Sequence, residues 1–149
     1  MLPKYHILFG FLFASFLFIF FPFISLLGFF IIFFSSVLID VDHYLFYVFK
    51  NNIFSIKKAY TYFYEKRKKL LAKGLKEKKI NPLMYLFHGI EILFVLFILG
   101  LFANKIFLFI FMGFSFHLFL DVLEQIYYGF RIAKVSLIYD FIKIITGYK

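Results

Sequence analysis

The sequence predicts an all-α polytopic membrane protein: about four transmembrane helices, a basic cytoplasmic helical loop and an amphipathic C-terminal tail. Three observations predict it. The 149-residue chain is 64% hydrophobic, and its 28 Phe residues outnumber its 17 basic and 8 acidic residues combined. Its apolar residues run on for stretches near or above the roughly 17 residues that cross a bilayer as a helix. Its excess positive charge is confined, because residues 50–82 hold 11 Lys or Arg against only Glu65 and Glu77. At this length the chain is one membrane domain, 1–149.

The first apolar stretch covers residues 5–21 and stops at Pro22. Its opening has the look of a signal peptide, with Lys4 before an apolar run. No small-x-small cleavage site follows and the hydrophobicity continues past an h-region, so a helix is expected. The second stretch, 23–42, ends in Asp40 and Asp42, with His43 directly after it. The two make a helical hairpin turning at Phe21-Pro22-Phe23, or a bent re-entrant pair that does not reach the far side. Residues 83–103 form a third span and 106–128 a fourth, joined by a tight turn at Asn104-Lys105.

Between the second and third spans lies the basic loop, 50–82. Ser55 is a candidate N-cap, and Ile56, Tyr60, Phe63, Leu70 and Leu71 follow near-helical spacing. Lysines fill the positions between, so the loop reads either as an amphipathic helix lying on an anionic bilayer surface or as a solvated topogenic loop. Asn81-Pro82 ends it. The tail, 131–149, is mildly basic and interfacial. The positive-inside rule puts this loop and both termini in the cytoplasm of a cell (inner) membrane, leaving Lys105 on the outer turn. The Lys-rich run at 66–79 has no nucleic-acid-reading fold around it, and topology explains it, so the partner expected is the lipid bilayer and not nucleic acid.

This topology, drawn without the histidines, places all four of them on one side. His6 opens helix 1, and Asp40, Asp42 and His43 close helix 2. His88 and Glu91 lie in the first turns of helix 3, while His117, Asp121 and Glu124 lie toward the cytoplasmic end of helix 4. Spacings of i+4 and i+7 give the last three one face, and His88 and Glu91 are i, i+3. Ionised groups in a spanning segment cost about 2.5–3.5 kcal/mol at its centre unless they are partnered. A divalent metal ion satisfies them together, as in helix bundles that build imidazole–carboxylate sites. Cysteine is absent, so His and Asp must supply the donors. Such a set suits Zn²⁺ first, with Mn²⁺ or Fe²⁺ as alternatives. Taken singly, each His also fits an interhelical hydrogen bond, and Glu124 fits an ion pair with Arg131 or a loop Lys. The metal candidates are His6, Asp40, Asp42, His43, His88, His117 and Asp121.

At these residues the sequence resembles the membrane-bound metal-dependent hydrolase family of bacterial and archaeal inner membranes. His6-x-x-x-Gly10 resembles its opening His-x-x-x-Gly element, and Leu38-Ile39-Asp40-Val41-Asp42-His43 its Leu-Pro-Asp-Ile-Asp-His signature. Phe87-His88-Gly89-Ile90-Glu91 is similar to part of its His-Arg-Gly-x-x-His-Ser region, and His117-x-x-x-Asp121 to its Ser-His-Leu-x-x-Asp element. Ile39 stands where the signature has Pro, and the third element keeps one His and no Arg. These departures bear on catalysis more than on metal binding. The family is in turn similar to zinc-dependent phospholipase C. The resemblance implies divalent ions activating water against a phosphoester, with an anionic lipid or phosphorylated amphiphile as substrate. Glu91 and Glu124, each a turn from a ligand candidate, are the candidate catalytic bases. Two other readings remain open: a metal-binding or metal-transporting protein without hydrolysis, and a structural protein that docks partners through its basic loop. Transport calls for ionisable residues across the whole bilayer, and the outer halves of these helices lack them.

Overall fold

In the computed structural model, residues 3–72 and 87–128 are described, with Ser136, Ile138, Ile142 and Ile145 of the tail. The end of the basic loop, the start of the expected third span and most of the expected interfacial tail lie outside the described residues. Within them the chain is all-helical. It forms α1 (Pro3–Phe20), α2 (Leu26–Leu38), α3 (Val41–Asn51), α4 (Ile56–Ala72), α5 (Ile90–Phe102) and α6 (Ile106–Tyr127).

The helices stop where local chemistry stops them. Pro22 disfavours helix at the residue before it, so α1 ends at Phe20 and a turn follows, with the Ile24 N–H donating to the Phe21 carbonyl at 3.0 Å. Ser25 then caps α2, its hydroxyl accepting from the Gly28 N–H at 3.2 Å. Asn52 closes α3 in the left-handed region, φ 53°, with its N–H bonded to the Val48 carbonyl. Ser55 does cap α4, accepting from the Lys58 N–H at 3.3 Å. Asn104 accepts from the Ile106 N–H at 2.9 Å and so turns the chain from α5 into α6.

Two expectations change. The second span is not one helix through residue 42, because it breaks at Ile39–Asp40 and resumes as α3. The third begins at Ile90 among the described residues, and the 13 residues of α5 make it shorter than its neighbours. Among the described residues, three stretches are long and apolar enough to cross a membrane: Pro3–Phe20, Leu26–Asn51 (α2 and α3 with the turn between them) and Ile106–Tyr127.

Packing is centred on α2, which lies against both α1 and α6, while α5 packs on α6. The dry core is small: Ala14, Ile24, Ile32 and Phe109, flanked by Phe13, Leu17, Phe29 and Met112. Most large apolar side chains instead point outward, Ile19, Phe20, Phe94 and Phe102 among them. A helix apolar on all sides suits a lipid surrounding and not water. With so little core, close backbone approach holds the bundle. A Cβ at Gly10 of α1 would strike Ser36 Oγ. One at Gly113 of α6 would meet Ser35 Oγ, and would lie 2.5 Å from the Ile32 carbonyl oxygen and 2.9 Å from the Ser36 nitrogen. Two glycines thus bring α1 and α6 onto the Ser35–Ser36 step of α2, the small-residue contact by which membrane helices associate.

Helix α4 docks on α3 through Ala59, Tyr47 and Val48, with Tyr62 and Phe63 alongside. It is also tied to α6 by Arg67, whose guanidinium reaches Glu124 Oε1 at 2.5 Å. Partial burial works against the Arg67 charge, and the Glu124 carboxylate outweighs it, holding the guanidinium above its usual range.

Candidate metal centre

The glycine contacts determine where the histidines fall. His6 is one turn before Gly10 on α1, and His117 one turn after Gly113 on α6, so both rings arrive at the same level beside the end of α2. They stack, with centroids 3.9 Å apart and planes 11° from parallel. The break at Ile39–Asp40 turns Asp40 toward the same point, and the turn preceding α5 supplies His88. His6, His88 and His117 are all buried. The side chains of Asp40 and Asp121 keep 22% and 20% of their exposure, so the carboxylate side is the less enclosed side of the cluster.

The distances are those of co-ligands rather than of hydrogen bonds. His88 Nε2 lies 3.4 Å from Asp40 Oδ1 and 3.7 Å from Asp121 Oδ2. His117 Nε2 lies 3.5 Å from each of the same two oxygens. Hydrogen bonds of these types run at about 2.7–3.2 Å. Donors held about 2.0–2.1 Å from a tetrahedral ion are separated by about 3.3–3.4 Å. The four approaches among Asp40, His88, His117 and Asp121 are therefore nearly of the length that separates ligands on one zinc ion.

The opposite edges of the two imidazoles are fixed. His117 Nδ1 meets the Ser36 carbonyl at 2.7 Å, and His88 Nδ1 meets Asp42 Oδ2 at 3.0 Å. A carbonyl can only accept, so His117 donates from Nδ1, and in the neutral ring Nε2 then carries the lone pair. The carboxylate imposes the same tautomer on His88. This outer-shell arrangement accompanies metal-ligating histidines generally. Asp42 is accordingly placed behind the donors. Its Oδ2 also accepts from the Phe87 N–H at 3.2 Å, and its Oδ1 is 2.6 Å from His43 Nδ1.

Three donor groupings satisfy metal-ligand spacing, with donor atoms within 4.8 Å of one another: His6, Asp40 and His117; Asp40, His43 and His88; and His88, His117 and Asp121. Of the metal candidates in the sequence, only Asp42 lies outside all three. Glu91 accepts from the Ser136 hydroxyl and, at 3.2 Å, from the Ile138 N–H, which binds the tail to the start of α5. Glu124 holds Arg67. Both glutamates thus stand outside the donor groupings. The sequence reading missed the Ser36 carbonyl and the Gly113 contact; the Gly113-x-x-x-His117 spacing, which mirrors His6-x-x-x-Gly10, was the available signal.

Fold and site together define a helical bundle with a buried imidazole–carboxylate cluster at one end. No family model, curated protein or solved structure matches the chain.

Proposed function

We propose that this chain is a membrane-embedded divalent-metal protein that uses its ion for hydrolysis at the cytoplasmic face of a cell membrane. The observation that carries the reading is the convergence of Asp40, His88, His117 and Asp121 at co-ligand separations, with both histidines held at Nδ1 so that Nε2 faces the carboxylates. Two imidazoles and two carboxylates without thiolate favour Zn²⁺, with Mn²⁺ or Fe²⁺ as substitutes. Bound there, the ion would supply a Lewis acid that lowers the pKa of water toward neutrality and polarises a phosphoryl oxygen. The chain's own residues do the rest. Asp42 orients His88, the Ser36 carbonyl orients His117, and the less enclosed carboxylate side admits water and a headgroup. The basic helix α4 lies next to the site, its Phe63 ring 5.6 Å from that of His43, and suits an anionic lipid or another phosphorylated amphiphile. The ordered resemblance to the metal-dependent hydrolase family supports the phosphoester part of the reading.

One observation favours a second reading, metal binding without turnover. Four protein side chains converge here, the number that closes a structural zinc site, and both candidate bases are engaged elsewhere.

Elemental analysis of the detergent-purified protein, beside an Asp40→Ala/His117→Ala variant, tests the centre. Zinc, manganese or iron at one ion or more per chain, lost in the variant, is expected. No metal in the wild type after reloading would sink the proposal. Release of phosphate or headgroup from phospholipid vesicles, abolished by a chelator and by the variant, separates the hydrolase from the non-catalytic reading.

A further inference from the structure

The turn joining α3 to α4 is unusually apolar for a connection, and the proposed chemistry does not use it. Around it Phe49 is 80% exposed, Phe54 85% and Ile56 75%. Clustered apolar side chains left in the open mark a surface that something covers. They also continue a stripe that begins in the bundle. Phe30, Phe34, Leu38, Val41, Leu45 and Phe49 recur every three or four residues along α2 and α3, and all six are exposed. The stripe crosses the break at Ile39–Asp40 without interruption. The side that α2 turns to lipid therefore runs on to the end of α3.

Helix α4 takes the stripe up. Ala59, Tyr62 and Phe63 form the side that packs on α3. Ile56, Tyr60 and Tyr64, spaced by four, form the next side round the helix, and all three are exposed. The Tyr60 and Tyr64 rings stack, 6.3 Å apart and 13° from parallel. Exposed Lys57 and Lys68 edge this stripe, and Lys58 and Lys69 lie further round. A helix surrounded by water would carry polar residues on the side that Ile56 opens. An aliphatic and tyrosine stripe edged with lysine is instead the pattern of a helix lying in a bilayer interface, where a tyrosine buries its ring and wets its hydroxyl.

We infer that the α3–α4 hairpin is a membrane-docking element. It inserts Phe49, Phe54 and Ile56 into the cytoplasmic leaflet, seats Tyr60 and Tyr64 at headgroup depth and binds anionic phospholipid headgroups through Lys57 and Lys68. Charge complementarity selects this occupant. Helix α4 carries six Lys or Arg against Glu65 alone, so a second copy of the chain would bring like charge to the same surface, whereas an anionic leaflet brings the opposite one. The basic loop is then a surface-bound helix and not a solvated one. The inference stands on the membrane reading of the spans and is independent of the metal centre.

Because the chain has no cysteine, Phe54→Cys and Glu65→Cys each place a single nitroxide on the full-length protein, and neither removes a packed side chain. Electron paramagnetic resonance compares access of dissolved oxygen and of a water-soluble nickel chelate to each label. The protein is held in nanodiscs of phosphatidylcholine alone or mixed equally with phosphatidylglycerol. In the mixed discs the label at position 54 should favour oxygen severalfold, and the label at position 65 should favour nickel. Lys57→Gln/Lys68→Gln should move the label at 54 toward water, and Lys58→Gln/Lys69→Gln should move it less. Equal nickel access at 54 and 65 in the mixed discs overturns the inference. Equal insertion in pure phosphatidylcholine overturns the choice of anionic lipid, and unchanged depth in the Lys57→Gln/Lys68→Gln variant overturns the headgroup contacts. Dipolar broadening at position 54 that dilution with unlabelled protein relieves would seat a second copy of the chain there and overturn lipid as the occupant.

Discussion

Asp42 is fully buried and belongs to none of the three donor groupings, yet two histidines depend on it. Its oxygens meet His88 Nδ1 and His43 Nδ1, and it also receives the Phe87 N–H. Asp42→Asn keeps the shape but replaces one acceptor oxygen with a donor amide, so it either drives His88 into the other tautomer or breaks the contact. Zinc affinity, measured by competition with a chromogenic chelator, should fall about 10–100-fold, the usual effect of losing an outer-shell partner. Stoichiometry should not change. Loss of a whole ion in Asp42→Asn would make Asp42 a ligand, as the sequence reading had it. That reading could not separate Asp40 from Asp42. Two carboxylates in one Asp-x-Asp-His motif look equivalent until the chain is seen to break between α2 and α3. The break aims Asp40 at the donors and leaves Asp42 behind them.

At the scale of the element, what the sequence revealed was the end of each helix that carries chemistry. One histidine per segment, all on the side of the basic loop, was enough to anticipate a single cluster. The means of bringing the segments together was not visible, because glycine in a membrane helix is common and its partner lies on another helix. The structure ranks the two glycines. At Gly10 the obstacle to a methyl group is a serine hydroxyl, which can rotate away. At Gly113 it includes the backbone of Ile32 and Ser36, which cannot move without shifting α2. Gly113→Ala should therefore destabilise the protein by about 1–3 kcal/mol, the range for overpacking. It should also weaken metal binding, because His117 and the Ser36 carbonyl sit at the same contact. Gly10→Ala should lose less of both. Thermal unfolding in detergent and the chelator competition read the two effects, and equal losses would contradict the ranking. The Arg67–Glu124 contact was only partly legible in the sequence, which offered Arg131 or a loop Lys as the partner; the structure gives a loop arginine. Here a double-mutant cycle with Arg67→Gln and Glu124→Gln should give a coupling of about 1 kcal/mol or less, as ion pairs with partly exposed partners do.

For the whole molecule, the composition makes the strongest claim and the helix lengths qualify it. At 1.5 Å per residue, the 22 residues of α6 extend about 33 Å and the 18 of α1 about 27 Å, against a hydrocarbon core of about 30 Å. The 13 described residues of α5 extend only about 20 Å by the same rise. Because α5 is packed on α6 and joined to it by the tight turn at Asn104, the outer ends of the two must lie together. If α6 crosses, that turn emerges opposite the metal cluster, and the shortfall of α5 falls on the His88 side. There Phe87, His88 and Gly89 precede the helix, and His88 meets Asp40 at the break between α2 and α3 and Asp121 of α6. The absence of cysteine makes this testable without background labelling. Lys105→Cys should react with a membrane-impermeant maleimide from outside intact cells. Lys68→Cys on α4 should react only after permeabilisation, as the positive-inside rule requires. Labelling of Lys68→Cys from the outside with Lys105→Cys protected would invert the orientation and move the metal centre to the outer face. Protection of both positions until permeabilisation would mean that α5 and α6 form a re-entrant pair, with the cluster and the turn on one side.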